Sequence, residues 1–155
     1  MKCLALLAMV VCLSGAVRAA GQSGTEEKGA WRAASKTAQS ITGDVVFGGD
    51  KMSINFNTFI IAEIRDLQPA EIKAAFDLDG DPKSGGRLYR LDIPAAKKFV
   101  HKNTICSGED TQWMVSYVDG KSLMLGFFSG TPMPVLTGEG MVNATNHCGT
   151  FTYGR

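Results

Sequence analysis

The sequence has no excess of charge of one sign. Its 155 residues include 16 Lys or Arg and 15 Asp or Glu, and the formal net charge is +1 at pH 7. A nucleic-acid-binding domain is usually strongly basic, so this balance argues against nucleic acid as a partner. Internal repeats and low-complexity tracts are also lacking, and a composition of 45% hydrophobic and 20% charged residues is typical of one globular domain.

Catalytic sequence motifs are equally scarce. No glycine-rich phosphate loop occurs, and Ser129 lies in GFFSG rather than in the Gly-x-Ser-x-Gly elbow of hydrolases. The two histidines, His101 and His147, belong to no recognisable nucleophile or metal motif. The sequence therefore predicts a protein that is not an enzyme, with no catalytic residue, metal or cofactor assigned. A small hydrolase with groups assembled from several loops is the alternative.

Long hydrophobic runs are absent except at the N-terminus. A short positive start precedes CLALLAMVVCLSGAV, and Val17 and Ala19 satisfy the small-residue rule for cleavage after Ala19. The run is shorter than the ~20 residues that a membrane-spanning helix requires. Residues 1–19 are therefore predicted to be a secretory signal peptide, 20–29 a flexible N-terminal tail, and 30–155 a single β-rich domain. A periplasmic or secreted protein without a transmembrane segment is expected.

Cysteine is sparse, and two of the four cysteines lie in the predicted signal peptide. Cys106 and Cys148 remain, and an even pair in an exported protein is typical of one disulfide. His101 and His147 lie near them in sequence, so a zinc site is an alternative, although the spacings do not resemble a zinc finger. A lipid anchor on Cys12 is a further alternative, which the lack of a small residue before it disfavours.

The mature chain is rich in hydrophobic alternation with a period of two, the pattern of strands with one buried face. In KMSINF, Met52, Ile54 and Phe56 are predicted to share that face, and FIIAEIRD is predicted to be a more deeply buried strand. The other sets predicted to share a face are Ile41, Val45 and Phe47; Tyr89, Leu91 and Ile93; Trp113, Val115 and Tyr117; and Leu123, Leu125 and Phe127.

Turn signals and one helix complete the predicted fold. Gly48-Gly49 and Asp119-Gly120 are predicted hairpin turns. In LQPAEIKAAF, Pro69 fits the first position of a helix. About eight short strands, one or two short helices and one disulfide predict a mainly β protein. The expected architecture is a small antiparallel β-barrel or a curved sandwich, and a monomer is expected.

Three alternating aspartates, Asp77, Asp79 and Asp81, form the most conspicuous polar motif. A helix-loop-helix calcium loop requires Gly at position six and Glu at position twelve, whereas Pro82 and Leu88 stand there. The sequence therefore favours a polar connection between two elements. A calcium-stabilised structural protein is the alternative.

Charges are segregated along the chain. The segment Asp66–Asp81 holds five acids and one lysine, and the segment Lys83–Lys102 holds six basic residues and one acid. A basic face formed by Lys83–Lys102 is suited to an anionic partner such as a lipid headgroup, a cell-wall polymer or an acidic protein. Pairing of the two segments within the fold is the favoured alternative.

Several blocks of sequence together resemble a family of small exported proteins of Gram-negative bacteria. The blocks are SKTAQSITGD, LYRLDIPAAKKFVHKNTICS, EDTQWMVSYVDGKSL, FFSG and CGTFTY, which span nearly the whole mature chain in the same order. The resemblance implies a bacterial, periplasmic protein in which Cys106 is paired with Cys148, and it carries no catalytic residues across. Separately from the resemblance, a compact β-barrel clamped by a disulfide suits recognition, so a binding or inhibitor-like module for a protein or a cell-envelope component is expected, by analogy of fold alone.

Overall fold

The computed structural model describes residues 26–155, so the predicted signal peptide and most of the predicted tail lie outside the described residues. Eight antiparallel strands follow one another in sequence order around a closed barrel, and the first strand pairs with the last. The strands are β1 Gly29–Ala33, β2 Val45–Gly48, β3 Lys51–Ile54, β4 Asn57–Leu67, β5 Gly86–Ile93, β6 Thr111–Asp119, β7 Ser122–Ser129 and β8 His147–Gly154. The predicted small antiparallel barrel is confirmed, and the sandwich alternative is wrong.

Three short α-helices lie in the connections between strands: α1 Lys36–Ile41, α2 Pro69–Phe76 and α3 Gly138–Val142. Helix α2 is the predicted one, and it begins at Pro69 as expected. Helices α1 and α3 were not predicted. Each is too short for a hydrophobic period but begins at a hydroxyl cap, in which Ser35 or Thr137 accepts a backbone N–H bond. No helix within residues 26–155 is long and apolar enough to cross a membrane.

Large apolar side chains fill the interior of the barrel. Trp31, Phe127, Phe151 and Tyr153 are fully buried there, and the hydroxyl of Tyr153 lies 2.7 Å from that of Thr42. The predicted inward sets on β5 and β7 are confirmed, since Tyr89, Leu91, Ile93, Leu123, Leu125 and Phe127 all belong to this core. The interior of the barrel is therefore a packed core.

A second apolar layer lies outside the barrel, where α2 covers the outer face of β5, β6 and β7. Ile72 and Phe76 of α2 pack there with the predicted set Trp113, Val115 and Tyr117. These three residues do share a face, but it is the outer one, so β6 is buried on both sides. Gly86 permits the close approach of α2, because a Cβ there would lie 2.6 Å from the Ser116 carbonyl oxygen and 3.0 Å from Ile72 Cγ1.

Three local predictions are corrected by the structure. Phe56 does not share the buried face of Met52, because β3 ends at Ile54 and Phe56 lies in a hairpin turn. FIIAEIRD is not deeply buried, since its outward-facing side chains reach solvent: Ile60 is 71% exposed and Ile64 is 45% exposed. Two hairpin turns fall one residue later than predicted, at 49–50 and 120–121, because the first residue of each predicted pair still belongs to its strand.

A disulfide joins Cys106, in the β5–β6 connection, to Cys148 near the start of β8, with their Cα atoms 4.9 Å apart. The predicted pairing is confirmed, and both thiols are thereby removed from the alternative zinc site. A closed loop of this length, with the cysteines 42 positions apart in sequence, constrains the unfolded chain by about 4 kcal/mol. The disulfide also fixes the β5–β6 connection against the start of β8.

Candidate binding surface at one end of the barrel

The meander topology sorts the connections between two ends of the barrel. Connections after odd-numbered strands lie at one end, which we call the loop end, and those after even-numbered strands lie at the other, the closed end. The loop end holds α1, a two-residue hairpin turn, and the long connections 94–110 and 130–146. The closed end holds two tight turns, the connection 68–85 with α2, and residues 26–28 before β1.

The hairpin turn at the loop end exposes an aromatic ring. Asn55 and Phe56 join β3 to β4, with Ile54 paired to Asn57, and their φ angles are +45° and +65°. A turn of this kind strongly prefers Asn-Gly, because a left-handed conformation costs a residue with a Cβ about 1–2 kcal/mol. Phe56 is nevertheless 99% exposed. The residue therefore carries a strained backbone without any compensating burial of its side chain.

Left-handed backbone is concentrated at this end of the barrel. Within residues 26–155 six non-glycine residues have a positive φ: Asn55, Phe56, Asp77, His101, Lys102 and Ser107. Five of them lie at the loop end, and the sixth, Asp77, ends α2 in the left-handed conformation common at helix C-termini. Strained backbone tends to gather at binding and catalytic sites, where the surrounding structure holds it in place. The loop end is therefore the part of the described chain in which to look for a functional site.

The β5–β6 connection lies beside the hairpin turn. The ring of Phe99 packs against that of Phe59, just after the turn, with centroids 6.0 Å apart. A Cβ on Gly43 would lie 3.1 Å from Val100 Cγ2 and 4.0 Å from Asn55 Oδ1, so Val100 and Asn55 flank the same glycine. The turn that carries Phe56 therefore lies next to Phe99 and Val100.

The predicted basic segment divides into two parts with different surroundings. At the closed end, Lys83 lies 3.8 Å from Asp119, and Arg87 lies 2.7 Å from Glu27. Arg90 stacks on the outer layer, 4.7 Å from the centroid of the Trp113 ring. At the loop end, however, Lys97, Lys98 and Lys102 form no ion pair with any carboxylate of the described chain. The expected pairing of the two segments is therefore wrong for most of their residues, since within the described chain only Asp66 of the acidic segment approaches a basic residue of the other, Arg87, at 3.8 Å. The last three lysines remain at the loop end.

A surface pocket of about 1180 Å³ opens between the connections 94–110 and 130–146. Glu109 and Ser129 line it, and the Ser129 hydroxyl donates a hydrogen bond of 2.6 Å to the Glu109 carboxylate. No histidine, lysine or arginine is among its lining residues in the described chain. A serine nucleophile is activated by an adjacent base, and a third group orients that base. The Ser129–Glu109 pair supplies two of these three groups, and its third member is not identified among the lining residues that the structure describes.

The two histidines do not come together as a site. His101 is exposed in the β5–β6 connection, whereas His147 stacks on Phe128 with the ring centroids 5.0 Å apart. Burial lowers the pKa of His147, and a backbone hydrogen bond to Gly149 opposes this shift. His147 is therefore a half-buried ring packed on the outer apolar layer, where burial favours its neutral form.

The three aspartates of the closed end lie along one connection. Asp77 ends α2, and Asp79 and Asp81 are exposed in the connection that follows. Within residues 26–155 no group of three or more His, Cys, Asp or Glu side chains is arranged to hold a metal ion. The favoured interpretation, a polar connection between a helix and a strand, agrees with this placement.

Comparisons of the chain with protein-family models, with curated proteins and with solved structures found no match. What the protein does must therefore be inferred from its own geometry. Sequence reasoning missed Phe56 as a surface residue and missed the pocket. The only local signal for Phe56 was the Asn on either side of it, a residue type enriched in turns.

Proposed function

We propose that the protein is a non-enzymatic binding module, exported to the periplasm or secreted, that docks on a partner protein through its loop end. The observation that carries this proposal is the fully exposed, left-handed Phe56. Export is supported by the signal-type N-terminal sequence and by a disulfide, which persists in oxidising compartments.

Phe56 has the properties of a binding anchor. Interface hot spots are dominated by large side chains, aromatic ones above all, that enter a desolvated pocket of the partner. A ring on a two-residue turn, supported by neighbouring loops, loses little conformational entropy when it binds. Its backbone strain opposes folding and its exposed ring adds no burial in return, so recognition explains why a Phe occupies a position suited to Gly.

The charges around the anchor define the partner. Lys97, Lys98 and Lys102 lie in the connection beside the turn and have no internal counter-ion in the described chain. Cationic side chains around an aromatic anchor favour encounter with an acidic surface and fix its orientation. We therefore expect a protein whose apolar recess is flanked by carboxylates, such as the mouth of an enzyme cleft, which gives the docking an inhibitor-like geometry.

The proposal is tested by comparing matched variants as immobilised bait against periplasmic extract. Phe56→Gly should lose a protein that the wild type retains at moderate salt. Ile60→Ser, which removes another exposed apolar side chain from the body of β4, should retain it. Lys98→Glu should weaken retention, and Lys73→Glu, on α2 at the closed end, should not. A protein retained equally by wild type and Phe56→Gly contradicts the proposal. Binding of the wild type to anionic vesicles instead would assign the loop end to a membrane.

Hydrolysis is a second candidate function, favoured by one observation, the Ser129–Glu109 hydrogen bond inside the pocket. A hydrolase of this kind would draw its remaining groups from the connections at the loop end. The test is turnover of small ester and amide substrates by the wild type and by Ser129→Ala. Turnover that Ser129→Ala abolishes while Phe56→Gly retains it would favour the hydrolase over the binding module.

A further inference from the structure

The closed end of the barrel contains a buried ion pair that the proposed docking does not use. Glu27 is 1% exposed and Arg87 is 8% exposed. Both carboxylate oxygens of Glu27 accept hydrogen bonds from Arg87 Nη1, at 2.8 and 2.7 Å. Ser116 adds a hydroxyl hydrogen bond of 2.7 Å to one of these oxygens. Glu27 thus lies in a polar recess inside an otherwise apolar barrel.

Glu27 differs from the other members of this cluster because it does not belong to a strand. Arg87 and Ser116 lie on β5 and β6 and face each other across the ladder. Glu27 belongs to residues 26–28, which precede β1 and which we call the latch. Three hydrogen bonds tie the backbone of the latch: Trp31 Nε1 donates to the Glu27 carbonyl, and Arg155 donates to those of Glu26 and Lys28. The wall of the recess therefore belongs to the barrel, and its occupant belongs to a separate segment.

Glu27 uses only part of the donor capacity of Arg87. A guanidinium binds a carboxylate best through two nitrogens in parallel, but here one nitrogen serves both oxygens. The Nε of Arg87 is buried and has no hydrogen-bond partner in the described structure. The carboxylates of Glu63 and Asp66 lie 3.8 Å from it, beyond hydrogen-bond distance. A buried donor without a partner is costly, so a carboxylate placed to engage two nitrogens would satisfy Arg87 better than Glu27 does.

The surrounding charges set how another carboxylate can enter. Glu27, Glu63 and Asp66 already place three carboxylates around one guanidinium. A fourth anion would be repelled, whereas an anion that replaces Glu27 leaves the local charge unchanged. Entry is therefore an exchange, in which the latch leaves the recess as the ligand binds.

We infer that the closed end is a carboxylate-binding site, formed by Arg87 and Ser116, which Glu27 fills as an internal ligand. A ligand bearing a carboxylate, either a small organic acid or the C-terminus of a peptide, displaces residues 26–28 when it binds. The recess admits a short chain behind the carboxylate, since the side chain of Glu27 occupies it as a tethered propionate.

The decisive experiment restores the missing side chain with a free acid. Glu27→Gly removes the equivalent of propionate, so sodium propionate at fixed ionic strength and pH 7 should raise the Tm of this variant by roughly 3 °C or more. Sodium chloride and neutral propionamide should not. The wild type, whose recess is filled, should shift much less. Glu27→Gly combined with Arg87→Met, which lacks the charge that binds the acid, should not respond. A short peptide tested with a free and an amidated C-terminus distinguishes the two ligand sources.

A second readout covers the case in which Glu27→Gly does not fold. Glu27→Gln keeps the shape of the latch but weakens its bond to Arg87, so propionate should displace it. Trp31 reports this displacement, because its ring is buried, bonds to the Glu27 carbonyl and lies 4.0 Å from the Arg155 guanidinium. In a Trp113→Phe background, propionate should shift the Trp31 emission of Glu27→Gln, and propionamide should not. Equal responses to propionate, propionamide and chloride in both Glu27 variants would overturn the inference. Phe56→Gly should leave these responses intact, so the docking proposal stands or falls separately.

Discussion

Replacing Phe56 with glycine should make the protein more stable. The φ of +65° costs a residue with a Cβ about 1–2 kcal/mol, and glycine is free of that cost. Glycine also gives the unfolded chain more conformational freedom, and this entropy cancels about 0.5–1 kcal/mol of the gain. The ring is 99% exposed, so its removal forfeits almost no buried surface. The free energy of unfolding should therefore rise by roughly 0.5–1 kcal/mol for Phe56→Gly.

Urea unfolding is the appropriate assay for this gain. The midpoint should move to higher urea while the slope m stays constant, because the surface exposed on unfolding hardly changes. Phe56→Ala is the matched control: it also removes the ring but keeps the left-handed cost, and it should show no gain. If Phe56→Gly instead lowers the free energy of unfolding, the ring contributes to packing and the reasoning about the anchor fails.

Three further substitutions test the energetics elsewhere in the barrel. Hydrogen bonding to Arg65 lowers the pKa of Glu71, and burial opposes this shift. Because the pair is partly exposed, Glu71→Gln should lower the free energy of unfolding by about 0.5–1 kcal/mol at pH 7. Because the folded pKa lies below the unfolded one, that difference should disappear as pH falls through the acid range in chemical-denaturation curves. Burial likewise lowers the pKa of His147, so the unfolded state binds the extra proton. The wild type should then lose more stability than His147→Phe as pH falls below about 6.5, and parallel pH profiles would contradict this. Gly86→Ala places a methyl group 2.6 Å from the Ser116 carbonyl oxygen, so calorimetry should show a destabilisation of about 1–3 kcal/mol, the usual cost of overpacking.

Local patterns were sufficient to predict the barrel but not what lies outside it. Alternation in β5 and β7 identified the inward sets because each strand has a single interior face. The same pattern occurs in β6 at Trp113, Val115 and Tyr117, but these residues face α2 outside the barrel. Alternation with a period of two shows that residues share a face, but it does not show whether that face is the inner or the outer one. The apolar sequence of β4 was misread for a related reason: whether a helix covers the outer face is decided by tertiary packing.

The two ends of the barrel were harder to predict because both run against common residue preferences. Phe56 continued the alternation of β3 by one residue, and the turn lacks the glycine by which a two-residue hairpin is normally recognised. Glu27 stood in a polar segment that was expected to be a flexible tail, where burial of a charge is not anticipated. In each case the sequence carries a residue that local rules would place elsewhere, as is expected at functional sites.

Phe56 and Glu27 depart from the usual burial pattern in opposite ways, because an apolar side chain is exposed and a charged side chain is buried. The left-handed backbone of Phe56 opposes folding while its exposed ring adds no burial, and a buried ion pair is often no more stable than a well-packed apolar replacement. The two lie at opposite ends of strands such as β6, which has nine residues, so at a rise of ~3.3 Å per residue they are more than ~15 Å apart. At that separation their energetic effects should add. A variant that combines Phe56→Gly with an apolar replacement of Glu27 and Arg87 should therefore fold at least as stably as the wild type while lacking both proposed binding activities, which is the behaviour expected if these residues serve recognition rather than folding.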